Sequence, residues 1–162
     1  MFEQAFGYIQ NLFLVQTRVV DQLQLDREKL YHLFEDVEAS YHANVPYHNA
    51  VHATDVLQGV YYALRRPSEG FRLLDRLTPD ETFSLVLAAL GHDVNHMGRT
   101  NHFLRSSDHH LTKVNGDSPN ESMHYRIFIQ KVYKWVCFST RSLLQNAKIF
   151  FVENFRRFCA GT

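Results

Sequence analysis

The sequence predicts an all-α domain, and three observations carry that reading. Apolar residues recur at helical spacing, strong helix-start signals precede the apolar runs, and alternating strand-type patterning is scarce.

Taken in order, the elements follow from local chemistry. The opening stretch MFEQAFGYIQNLFLVQTRVV is aromatic and apolar but carries Glu3, Gln4, Gln10 and Asn11. It lacks the basic start and small-residue cleavage site of a signal peptide. In DREKLYHLFEDVEASYHANV, Leu30, Phe34, Val37 and Tyr41 fall on one helical face, Asp26 is placed as N-cap, and Pro46 bars continuation. A second helix is expected from about Ala50 to Arg65, striped by Val56, Val60 and Leu64 and closed by Pro67, with a linker PSEGFRLLDR after it. Thr78-Pro79-Asp80-Glu81 is the clearest start signal: a capping hydroxyl, proline at the first helical position and glutamate three residues past the cap. The helix it opens is apolar nearly all round, so it is central and buried, and it delivers His92 and Asp93 at its end. Residues 97–117 read as polar and loop-rich. Ser118-Pro119-Asn120-Glu121 repeats the capping-box spacing and opens a helix expected to run past Trp135.

A chain of 162 residues fits one domain with a substantial core. Seventeen basic and seventeen acidic residues balance, so no broad electrostatic pull toward nucleic acid or a membrane surface is implied. No run approaches the roughly 18 apolar residues of a membrane span. Cys137 and Cys159 form no CxxC and read as reduced thiols. Cys159 is fourth from the end, but CAGT has neither the aliphatic interior nor a usual final residue of a prenylation box. A cytoplasmic location is expected.

Ten histidines are unusual in this length, and four of them are patterned. His48 and His52 are four apart; His92 and His96 repeat the interval, with Asp93 beside His92. That spacing places each pair on one helical face, and two such faces can converge on a common ion. An aspartate adds negative charge and two oxygens able to bridge cations. A carboxylate and imidazoles at the end of an apolar helix are costly to bury unless a cation offsets them.

These residues resemble the class I cyclic nucleotide phosphodiesterases. YHNAVHATDVLQ is similar to that family's YHNxxHAxDVxQ segment, and HDVNHMGRTN to its HDxxHxGxxN segment, with no gap in either. The resemblance covers about Leu25 to Asn101 well, and extends toward His124. It implies an all-α, compact multi-helix phosphodiesterase-like catalytic domain of the histidine–aspartate (HD) type. It also implies two divalent metal ions, zinc at the tighter position and magnesium or manganese at the other. His52, His92 and Asp93 correspond to metal ligands, with Asp93 also reaching the second ion. His48 corresponds to the acid that protonates the departing 3′ oxygen, and His96 to a histidine near the attacking water and the phosphate. Asn49, Asp55 and Gln58 occupy supporting motif positions; Asp55 reads equally as a plain surface carboxylate.

Beyond Asn101 the pattern thins. Against the family's YNDxSVLExHH, the stretch VNGDSPNESMH keeps Asn115, Ser118, Glu121 and His124, while Gly116 and Met123 depart from it. Asn95 stands where acidic residues are frequent. Glu121 corresponds to a glutamate that polarises the acid histidine, but its spacing from Ser118 favours a helix cap. From Tyr125 the chain reads as a divergent helical tail. The family's further metal-binding aspartate and purine-gripping glutamine belong to the second half of its domain; Asp75, Asp108 and Glu153 are candidates for a substitute for the former, none singled out. The expectation is therefore one partial catalytic domain over 1–162, recognisable over 25–124, with a divergent tail over 125–162 and the C-terminal half incomplete. The function expected is metal-dependent hydrolysis of cyclic AMP, cyclic GMP or both to 5′-monophosphates. The partner is that small molecule, with no nucleic acid and no membrane span; homo-oligomerisation is left open. The alternative is an inactive helical module that binds metal or a partner phosphodiesterase.

Overall fold

The computed structural model describes Gly7 and residues 18–68 and 71–136. These form seven α-helices: α1 (Val19–Gln22), α2 (Arg27–Glu38), α3 (Ala50–Arg65), α4 (Pro79–Gly91), α5 (Asn101–Ser106), α6 (His110–Asn115) and α7 (Pro119–Trp135). Between α3 and α4 the expected linker contains a two-residue antiparallel ladder, Pro67 to Arg72 and Ser68 to Phe71, and a 3₁₀ turn over Leu73–Asp75.

The starts of α2 and α4 form as their sequences dictate. The Asp26 carboxylate accepts from the amides of Glu28 and Lys29 at 3.0 and 3.2 Å. The Thr78 hydroxyl accepts from the Glu81 amide at 3.2 Å, while the Glu81 carboxylate accepts from the Thr78 amide at 2.8 Å, so orphan donors at the α4 start are satisfied reciprocally. α4 is the central helix: Thr82, Phe83, Ser84 and every residue from Val86 to Gly91 are buried. α3 and α1 pack on it, α7 crosses it, and α2 lies against α7. The core joins Leu30, Leu33, Phe34 and Val37 of α2 to Ala53, Leu57 and Leu64 of α3, Phe83 and Leu87 of α4, and Phe128 and Val132 of α7.

Several expectations are corrected. α2 ends at Glu38, so Tyr41 is not on its stripe; it is nevertheless buried, and its hydroxyl donates to the Leu90 carbonyl at 2.7 Å. In α3 the deeply buried face is Ala53, Leu57 and Leu64, with Val56 and Val60 partly buried at its rim. The loop-rich stretch 97–117 also holds two six-residue helices, capped by Thr100 and His109, whose side chains accept from the amides of Phe103 and Leu111. α7 stops at Trp135, where Val136 leaves helical geometry at φ −92° and ψ 87°. The tail from residue 137 onward lies outside the described residues.

Two contacts fix α7 in place. Asp36 of α2 accepts from Lys131 Nζ at 2.6 Å, Trp135 Nε1 at 2.8 Å and Lys134 Nζ at 2.9 Å. At the crossing with α4, a Cβ added to Gly91 would lie 2.4 Å from the Phe128 ring, so only glycine allows this approach.

Candidate metal centre

The centre is built where the start of α3 meets the end of α4. Neither histidine pair lies within one helix, contrary to the expectation from spacing. His48 precedes α3, and His96 follows α4 in a turn. The local reasons are specific. Asn49 is the N-cap of α3: its Oδ1 accepts from the amides of Val51 and His52 at 3.0 and 3.2 Å, and its Nδ2 donates to the Val45 and Pro46 carbonyls. That cap leaves His48 on the entering chain and His52 in the first turn. After α4, Asn95 adopts φ 63° and Gly98 φ 73°, reversing the chain so that Asp93 and His96 face back toward α3. Asparagine is among the residues that best tolerate this left-handed conformation. The Asn95 amide donates to the Ser40 carbonyl at 3.0 Å, anchoring the turn.

His52, His92 and Asp93 come together, each offering one donor atom within 4.8 Å of the others. His52 Nε2 is 3.1 Å from His92 Nε2 and 3.4 Å from Asp93 Oδ2, and His92 Nε2 is 3.1 Å from the same oxygen. His92 Nδ1 donates to the Ala89 carbonyl at 2.9 Å, which turns its Nε2 lone pair into the cluster. That lone pair and the carboxylate oxygen are both acceptors facing one point. A tetrahedral zinc ion with bonds of about 2.0–2.2 Å needs donor atoms roughly 3.3 Å apart. Two imidazoles and a carboxylate at these separations fit such an ion.

The other two predicted residues adjoin the cluster. His48 Nε2 is 4.0 Å from Asp93 Oδ2, with 37% of its side chain exposed, so it stands at the solvent edge. His96 is buried and stacks on His48 with ring centroids 4.0 Å apart and an interplanar angle of 22°. Its Nδ1 accepts from the Gly98 amide at 2.9 Å, leaving Nε2 to carry the ring proton. Burial, followed by the neighbouring His48 and His124, pushes His96 down to about 4. Burial likewise depresses His52, reinforced by His92. Burial works to raise Asp93, but the adjacent His92, with His124 and His48 around it, prevails, holding the carboxyl well below the usual carboxylate range.

Of the supporting positions, Asn49 is the structural cap just described. Asp55 and Gln58 are exposed; Asp55 lines an open hollow with Tyr47, Val51 and His52. Asp75 is held by Arg72 and Asp108 by Lys113, and neither joins the cluster; Glu153 lies outside the described residues. Glu121 does not cap α7, because Ser118 makes no side-chain cap hydrogen bond. Instead both Glu121 oxygens accept from Asn101 Nδ2, at 3.0 and 2.9 Å.

One participant was not assigned from sequence. His124, on α7, is almost fully buried; its Nδ1 donates to the Val94 carbonyl at 2.6 Å and its Nε2 lies 3.8 Å from Asp93 Oδ1. The signal available was its register within VNGDSPNESMH, which has no meaning until α7 is folded against the turn after α4.

The chain is also similar to known proteins. A family model described as 3'5'-cyclic nucleotide phosphodiesterase matches residues 47–159, continuing past the stretch 25–124 that carries the motif resemblance. Over 103 residues the chain is 38% identical to the mouse high affinity cAMP-specific and IBMX-insensitive 3',5'-cyclic phosphodiesterase 8A, covering 64% of this chain and 12% of that protein. Over 89 residues it is 40% identical to 3',5'-cyclic-AMP phosphodiesterase 4 of Dictyostelium discoideum, covering 54% and 8%. The solved phosphodiesterase domain of the RhoPDE fusion protein from the choanoflagellate Salpingoeca rosetta aligns with a TM-score of 0.80 at 25% identity, over 93% of this chain and 47% of that one. The chain thus spans about a tenth of the length of the curated relatives it matches, and about half of the solved domain.

Proposed function

The chain belongs to the 3'5'-cyclic nucleotide phosphodiesterase family, and from that premise we propose that it forms the metal-holding part of a catalytic domain that hydrolyses 3′,5′-cyclic nucleotides to 5′-monophosphates. The observation that carries this reading is the convergence of His52, His92 and Asp93 within 4.8 Å. The printed names of the relatives make cyclic AMP the first substrate to try, with cyclic GMP beside it.

In this reading His52, His92 and Asp93 would hold zinc, with Asp93 also available to a second divalent ion. Such ions, when bound, neutralise phosphate charge and lower the pKa of water toward neutrality. The remaining steps belong to side chains. His48, at the solvent edge, protonates the 3′ oxygen as it leaves, the role a positioned imidazole fills for a poor leaving group. His96, neutral and with its proton on Nε2, donates a hydrogen bond toward the water or phosphate. Asn49 and the turn at Asn95 keep these rings in place. The domain is partial over 1–162. No helix among the described residues is long and apolar enough to cross a membrane, and a cytoplasmic setting is part of the same proposal.

A second reading is favoured by one observation: the solved domain is about twice the span aligned here. If the nucleotide-gripping wall lies outside this chain, the module holds metal and acts only with a complementary partner. Loss of a positioning wall costs many orders of magnitude in rate even where reactive groups survive. The test is release of 5′-AMP from cyclic AMP by purified protein with zinc and magnesium, beside His48→Ala. Turnover abolished in the variant supports the enzyme; zinc uptake without turnover supports the module; neither turnover nor zinc uptake overturns both.

A further inference from the structure

The segment 40–49 between α2 and α3 brings His48 and the cap residue Asn49 to one side of the metal centre, and it grips the other side as well. The Tyr41 hydroxyl donates to the Leu90 carbonyl at 2.7 Å, and the Ser40 carbonyl accepts from the Asn95 amide at 3.0 Å. The Val45 side chain stands 3.6 Å from the position a Cβ on Gly98 would take. The Tyr41 contact is the one made by a polar side-chain atom, so a single substitution removes it without rebuilding the backbone. Leu90 lies in the last turn of α4, where carbonyls lack helical partners. The Val94 amide, four residues on, turns to the Gly91 carbonyl at 3.3 Å instead, and the buried Tyr41 hydroxyl takes the place it leaves. Burial first, then the Asp93 charge, push this phenol well up, so it remains a donor at neutral pH. The Asp93 backbone amide faces the same oxygen and opposes them without prevailing. One hydroxyl thus stands between the end of α4 and the peptide of Asp93, whose Oδ2 meets His52 and His92 at 3.4 and 3.1 Å.

We propose that Tyr41 is a positioning residue for the metal centre: its hydroxyl supplies the partner that Leu90 lacks and sets the direction in which the Asp93 backbone leaves α4. Tyr41 is no member of the donor cluster, so it acts through the Asp93 peptide and not on an ion. Without the hydroxyl, the buried Leu90 carbonyl loses its donor, and leaving such a group unpaired is costly enough to shift the turn. A ligand freed to wander by a fraction of an ångström binds metal less tightly, as groups that orient ligands regularly show. The inference rests on the proposed zinc site at His52, His92 and Asp93, and the test separates the two.

Tyr41→Phe keeps the ring and its packing and removes one oxygen. In the metal-free full chain, amide hydrogen exchange at Asp93 is expected to quicken by about ten-fold or more in this variant, well beyond any change at Val86 and Leu87 in the middle of α4. With one equivalent of Zn2+ loaded, competition against a chelator should show zinc held about ten-fold more weakly. Co2+ in place of zinc should show altered visible absorption bands, which report ligand geometry. Thr78→Ala, at the far end of α4, is the control for general loss of stability and should leave zinc affinity and cobalt bands as in the unaltered chain. Zinc affinity and cobalt bands unchanged in Tyr41→Phe would overturn the positioning role and leave the zinc reading standing. So would exchange that quickens equally at Asp93 and Val86, or equal losses of zinc affinity in Tyr41→Phe and Thr78→Ala. Failure of the unaltered chain to take up zinc overturns the zinc reading and this inference with it.

Discussion

α4 and α7 begin with the same signature, a hydroxyl residue, proline, one residue and glutamate, yet only α4 closes it into a capping box. At α4 the Glu81 carboxylate has its own N-cap amide within reach and takes it. At α7 the equivalent Glu121 is drawn to Asn101, whose Oδ1 accepts from the Asn120 amide at 3.0 Å while its Nδ2 reaches both Glu121 oxygens. A local cap is thus exchanged for a cross-element clamp between the start of α5 and the start of α7. The contrast teaches that a start signal fixes where a helix begins, while tertiary neighbours decide what its side chains do.

The most severe way to break this arrangement is at the crossing itself. Phe128→Ala should lower unfolding free energy by about 3–5 kcal/mol in urea denaturation, because a fully buried ring leaves a cavity beside Gly91. Gly91→Ala forces a methyl group into that ring and should cost about 1–3 kcal/mol. Unlike Phe128→Ala, it should also disturb zinc affinity, because the backbone displaced leads directly into His92 and Asp93.

Next in size is the other end of α7. Hydrogen bonding to Lys131 is the leading cause that holds Asp36 well below the usual carboxylate range; Trp135 and Lys134 add to it against the opposing effect of burial. Asp36→Asn should cost about 2 kcal/mol at neutral pH, the scale of hydrogen bonds to a charged partner. A depressed folded-state pKa places this stabilisation above the ordinary aspartate value near 3.9 and removes it as pH falls through the folded-state value. The difference between the two proteins should therefore shrink progressively in denaturation series run below pH 4.

The smallest effects sharpen the comparison directly. Thr78→Ala should cost about 1 kcal/mol, the usual loss for an N-cap hydroxyl. Ser118→Ala should stay within about 0.5 kcal/mol, because that side chain caps nothing. Equal losses from the two substitutions would show that Ser118 caps α7 in solution and that Glu121 is shared.

Much of the fold is written locally. Asp26, Thr78 and the prolines at 79 and 119 mark helix starts by chemistry that does not depend on distant residues, and α4 advertises its burial by being apolar all round. α5 and α6 escape because six residues print no period; their caps alone create them. The histidine motifs locate His48, His52, His92, Asp93 and His96, but not by the helical faces their spacing suggests. The N-cap at Asn49 and the left-handed turn at Asn95 do that positioning. His124 and the Asn101–Glu121 clamp depend on contacts 20 to 31 positions apart in the chain, and no local pattern carries that information.

The central claim is that His52, His92 and Asp93 hold one metal ion. X-ray absorption at the zinc edge on the one-equivalent complex tests it most directly. The account predicts two imidazole nitrogens and at least one oxygen about 2.0–2.2 Å from zinc, with the two-imidazole scattering pattern reduced to one ring in His52→Ala. Zinc that is bound through cysteine sulfur, or whose spectrum is the same in His52→Ala, would contradict it.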